Sequence, residues 1–131
     1  MNIAHQVRDL LNQATFQNYN TTKKQIHEIG SGLNQQLFAY RIEHPEAFET
    51  RSNPIVDFQV TDTQKDNVYL AGKNFTIRIE RYENEKEYET GYNIYLLPND
   101  QTFKGFFFTY EESPKALNLM IQALVDNNFQ L

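Results

Sequence analysis

The apolar residues of this chain change their spacing at His44-Pro45, and that change limits the folds open to it. Before it they recur at helical intervals. Ile3, Val7, Leu10, Leu11 and Ala14 fall on one helical face, with His5, Gln6, Arg8, Asp9, Asn12 and Gln13 on the other. After it they alternate, which places successive side chains on opposite faces of a sheet. A residue before proline is pushed toward extended conformations, so His44 is a natural boundary. Helical pattern first and strand pattern after it define an α+β class.

The helical part is expected over about residues 2–30. A first helix spans about 2–16. Thr22 and Gln25 then have the spacing of a capping box, in which Thr22 accepts a backbone N–H and Gln25 reaches back. Gly30-Ser31-Gly32 reads as the stop of the short helix so started. Residues 33–43 are ambiguous: Leu33, Leu37 and Tyr40 suit a helix, whereas Phe38, Tyr40 and Ile42 suit a strand. The reading adopted is a strand near 36–43, which opens a sheet running to about residue 110.

Within that sheet Val56, Phe58 and Val60 alternate with Asp57, Gln59 and Thr61. Residues 68–71 form a short strand that turns through Gly72-Lys73-Asn74 into the next. There Phe75, Ile77 and Ile79 face one way and Thr76, Arg78 and Glu80 the other. Tyr92, Ile94 and Leu96 make another apolar row, closed by Pro98-Asn99-Asp100, and residues 102–110 make the last strand. Connections this short cannot hold crossover helices, so an antiparallel meander of about 4–6 strands is expected. Ser113-Pro114 reads as an N-cap followed by proline in the first turn. The helix it opens, about 113–127, buries Leu117, Met120, Ile121, Leu124 and Val125. Terminal helices packed on one face of the sheet would make residues 1–131 a single domain.

Composition removes several kinds of chemistry. No cysteine is present, so disulfides, thiolate metal sites and a cysteine nucleophile are excluded together. The three histidines, His5, His27 and His44, lack the spacing that sets two imidazoles on one metal. Ser31, Ser52 and Ser113 stand in no nucleophile elbow, and the five glycines form no phosphate loop. An enzyme is therefore not expected, nor a cofactor or metal. A net charge of −5 argues against phosphate binding as the main task, and no direct nucleic-acid partner is expected. The N-terminus lacks a secretion signal and no run is long enough to span a membrane, so the expected location is cytoplasmic, the bacterial host cytosol if the chain is phage-encoded.

Two excesses remain. The first is acidic: Glu80, Glu83, Glu85, Glu87 and Glu89 stand within ten residues against Arg81 and Lys86. Residues 66–131 carry ten acids and six bases, whereas residues 1–65 carry seven and six. The run brackets a turn at Asn84-Glu85-Lys86, where it would protect a hairpin tip. The second is aromatic: Phe103, Phe106, Phe107, Phe108 and Tyr110 lie within eight positions, more rings than a one-sided sheet needs. Such a strand is either central or presents rings to a partner.

In size, acidity, absence of cysteine and abundance of asparagine the chain resembles small inhibitors encoded by phages and mobile elements, such as anti-CRISPR and anti-restriction proteins, and toxin-immunity proteins. That likeness implies a non-catalytic protein-binding module, an inhibitor of a basic or nucleic-acid-handling enzyme. The expected partner-binding residues are Glu80, Glu83, Glu85, Glu87 and Glu89, with Tyr82, Tyr88 and Tyr92 as aromatic anchors. The partner would be a basic protein. Two alternatives stay open: a phage or mobile-element assembly protein that self-associates through residues 103–110, as a homodimer for example, and a small-ligand binder with acids lining a cleft.

Overall fold

In a computed structural model, which describes residues 3–14, 22–48, 67–84, 89–98 and 106–130, the chain forms three α-helices and a four-stranded antiparallel sheet. The order is α1 (Ile3–Gln13), α2 (Lys23–Glu43), a 3-10 turn (Pro45–Ala47), β1 (Asn67–Ala71), β2 (Phe75–Asn84), β3 (Glu89–Pro98), β4 (Phe106–Thr109) and α3 (Ser113–Asp126). The α+β class and the meander are those the hydrophobic pattern predicts: strands lie in chain order, β1-β2-β3-β4, each antiparallel to the next. The strand expected at Val56–Val60 and the start of the one expected at 102–110 lie outside the described residues.

Capping starts α2 as expected. The Thr22 side chain accepts from the Gln25 backbone N–H, and the Gln25 side chain accepts from the Thr22 N–H. The helix does not stop at Gly30-Ser31-Gly32, however, and residues 36–43 are not a strand; α2 is continuous to Glu43. Helical spacing brings Ile26, Gly30, Leu33 and Leu37 onto one buried face, with Leu33 and Leu37 fully enclosed. Phe38 and Ile42, the residues that suggested a strand, lie off that face at 40% and 63% exposure. Each mid-helix glycine costs about 1 kcal/mol relative to alanine. Burying one leucine contributes about 1.5–3 kcal/mol, so packing carries the helix across both.

One face of the sheet is the core. Val68 and Leu70 of β1, Phe75, Ile77 and Ile79 of β2, Tyr92, Ile94 and Leu96 of β3 and Phe108 of β4 are all buried on it. α3 lies against β3 and β4, and both α1 and α2 pack on α3. Leu117, Met120, Ile121 and Leu124 supply its buried stripe, as their spacing predicts; Val125 is partly buried. Ser113 is not the N-cap. That position falls to Glu112, and buried Ser113 donates its hydroxyl to the Thr109 carbonyl at 2.7 Å, tying α3 to the end of β4. Gln36 Nε2 and the Tyr40 hydroxyl, from α2, both donate to Asn118 Oδ1 of α3.

The chain leaves α3 through two left-handed residues, Asn128 and Phe129, at φ 53° and 57°. The Phe129 N–H returns to the Leu124 carbonyl at 2.7 Å, closing the helix end. A phenylalanine in this region is strained. The compensation is visible in its ring, which stacks on Phe75 and meets Phe48 and His44 edge-on or tilted at 5.1–6.0 Å between centroids.

Two glycines respond oppositely to a methyl group. A Cβ at Gly32, exposed in the middle of α2, meets nothing within 4 Å, whereas one at Gly91 of β3 would lie 2.0 Å from the Phe108 carbonyl oxygen. Gly32→Ala is expected to raise stability by about 0.5–1 kcal/mol. Gly91→Ala is expected to lower it by about 2–4 kcal/mol through loss of β3–β4 pairing. Urea denaturation of the two variants measures both signs.

Candidate functional site

Alternation that puts apolar residues on the covered face of the sheet puts a second set on the other face, where no helix packs among the described residues. The register sorts these into rows across the strands. Tyr69, Arg78 and Tyr95 make one row, and Glu80 and Asn93 stand in the next, with Phe107 beside Asn93. Tyr82 lies opposite Gly91. Tyr69 is 50% and Phe107 40% exposed, while Thr76, Arg78, Glu80, Tyr82, Asn93 and Tyr95 are partly exposed.

Neighbouring strands hold these side chains in place. The Arg78 guanidinium lies 4.0 Å from the centroid of the Tyr95 ring, a cation–π contact that fixes the cation over β3. Asn93 Nδ2 donates to Glu80 Oε1 at 3.1 Å. Tyr82 and Phe107 meet edge to face at 6.4 Å, across the space left by Gly91. Among the described residues the face therefore carries preset aromatic surface, one cation and one anion.

Among the described residues the central hairpin outruns its neighbours at one end. β1, described from Asn67, pairs with β2 as far as Glu80, and β4 pairs with β3 as far as Gly91, while β2 and β3 stay paired to Asn84↔Glu89. Among the described residues the pairs Glu83↔Thr90 and Asn84↔Glu89 thus form a two-stranded arm. Its base is anchored in the core, because Arg81 and Tyr92, paired across the ladder, are both fully buried.

The acids and tyrosines expected to bind a partner separate in this arrangement. Glu80 and Tyr82 are on the open face, Glu83 and Glu89 are backbone positions of the arm, and Glu85, Glu87 and Tyr88 lie outside the described residues. Glu80 and Glu89 do not form one cluster: Glu80 stands opposite Asn93, four positions along β3 from Glu89. Tyr92 is a correction. It is no surface anchor but part of the core, its ring edge-on to Tyr110 at 5.0 Å and its hydroxyl 3.5 Å from the Ile26 carbonyl of α2. Tyr92 shares its parity with Ile94 and Leu96, so the alternation itself carried the signal. The same alternation marks Tyr69 and Tyr95, which flank apolar core residues in β1 and β3 and were not among the expected site residues.

The aromatic strand divides between the two possibilities. Phe108 and Tyr110 are buried, Phe106 is packed against the core, and Phe107 alone of the described rings turns outward. Among the described residues, grooves lie elsewhere. One of about 420 Å³ runs between α2 and the start of α3, lined by Glu28, Gln36 and Glu111 among others. Another, about 470 Å³, adjoins His44, Lys73 and Phe129. No group of three or more metal-ligating side chains occurs among the described residues, and no described helix is long and apolar enough to cross a membrane.

Because Tyr92 is core, its truncation should act on folding. Tyr92→Ala is expected to cost about 3–5 kcal/mol. Tyr92→Phe, which keeps the ring and removes the hydroxyl, is expected to cost less, about 1 kcal/mol. Thermal melts of the two variants check this. No protein-family model matches the chain, and neither a curated protein nor a solved structure does, so the chemistry of the site rests on its own residues.

Proposed function

We propose that the protein is a non-catalytic protein-binding module that inhibits a basic, nucleic-acid-handling enzyme, and that the β2–β3 arm is the part it presents. The observation that carries this reading is the extension of the β2–β3 ladder past the end of β4 and, among the described residues, past β1, at the point where the sequence concentrates its acids. Five glutamates occupy positions 80–89 against two bases, and burial of Arg81 takes one of those bases off the arm's surface. Carboxylates spaced along an arm can occupy a basic channel where phosphates would lie, which blocks it without chemistry. Their contribution falls with salt, since the Debye length is only about 8 Å at physiological ionic strength.

The test is capture of a partner by the immobilised chain, followed by inhibition of that partner's activity. A basic protein should be retained at low salt and released at high salt. Glu83→Lys, Glu85→Lys and Glu87→Lys combined should lose it while keeping the parent melting temperature. Unchanged binding by the triple variant would sink the proposal.

A further inference from the structure

We infer that the open face of the sheet is the interface of a two-fold symmetric dimer of this chain. Four residues of β2 face outward in order: Thr76, Arg78, Glu80 and Tyr82. Reversed about its midpoint, that series sets Arg78 against Glu80 and Thr76 against Tyr82. A two-fold axis lying between two sheets, perpendicular to the strands and passing over Ile79, performs this reversal: residue i meets j while j meets i. Each copy then supplies both halves of two identical ion pairs, and each large ring meets a small side chain.

The neighbouring strand obeys the same rule. On β3 the reversal sets Tyr95 opposite Asn93, so a large ring again faces a smaller side chain. Contacts within the sheet hold the charged groups in place: Arg78 lies over Tyr95, and Glu80 accepts from Asn93. Tyr69, Tyr82, Tyr95 and Phe107 supply the apolar contact around the pairs.

Sheets packed face to face lie about 10 Å apart with strands within about 30° of alignment, a separation these side chains span. Four short strands make a small interface, so association is expected on the order of 10 μM rather than in the nanomolar range. The two β2 strands run in opposite directions in this arrangement, which sends the two acidic arms to opposite ends of the dimer. The inference rests on the face and not on the arm, and each stands or falls alone.

Sedimentation velocity on the full chain, at concentrations bracketing about 10 μM, tests it. The parent protein should pass from monomer to dimer. Arg78→Glu or Glu80→Arg alone should weaken association by about tenfold or more, because each places two like-charge pairs in the interface. Arg78→Glu combined with Glu80→Arg should restore it. Thr76→Trp, a single change at a partly exposed position, should also abolish the dimer by filling the space opposite Tyr82, which keeps the test decisive if the double variant fails to fold. A parent chain that stays monomeric throughout overturns the inference. So does a Thr76→Trp variant that dimerises like the parent, or a folded double variant that does not recover.

Discussion

The helix α3 is the element on which the other packing depends. Its stripe of Leu117, Met120, Ile121 and Leu124 covers the inner face of β3 and β4, and α1 and α2 then pack on α3. A sheet with one apolar face must bury it against another layer, and among the described residues α3 is the helix that lies on β3 and β4. The hydroxyl of Ser113 and the capped turn through Phe129 hold that helix at both ends. Side chains from α2 reach it through Gln36 and Tyr40 on Asn118. With the helices gathered on one side, the opposite face of the sheet is left to other uses.

That asymmetry decides where recognition is possible. A sheet residue of one parity is core and its neighbour is surface, so a shift of one position exchanges roles completely. Tyr92 and Arg81 fall on the covered side and serve folding, although their neighbours in sequence, Tyr82 and Glu80 among them, fall on the open side. An arginine enclosed at the base of the β2–β3 arm also changes the charge the arm displays. With Arg81 in the core, Lys86 is the other base that the run of residues 80–89 sets against its five glutamates.

Most of the architecture was legible in the alternation and in local turn chemistry. Thr22 and Gln25 capped α2 as their spacing predicts, Gly72-Lys73-Asn74 joined β1 to β2, and Tyr92, Ile94 and Leu96 formed one buried row. Residues 30–43 were not legible, because their apolar residues satisfy both periods over a short window and the glycines read as a stop. Ser113 misled for a related reason: a serine before proline has the form of a cap, and only the nearness of the Thr109 carbonyl turns its hydroxyl elsewhere. In the site, Glu80 and Tyr82 were legible as surface residues, while Tyr69 and Tyr95 were hidden among apolar neighbours that belong to the other face.

The sequence by itself determined the class of the fold, the order of the elements from β1 to α3, and the parity of those strands. Those follow from periodicity and turn residues, which act over a few positions of chain. Tertiary structure alone decided that α2 runs through two glycines, that Tyr82 meets Phe107 across Gly91, and that Arg78 lies over Tyr95. Each of these depends on a neighbour supplied by another element, whose register or packing no local pattern encodes. A helix weakened by glycine forms when Leu33 and Leu37 are enclosed, and that enclosure exists only after the layers meet.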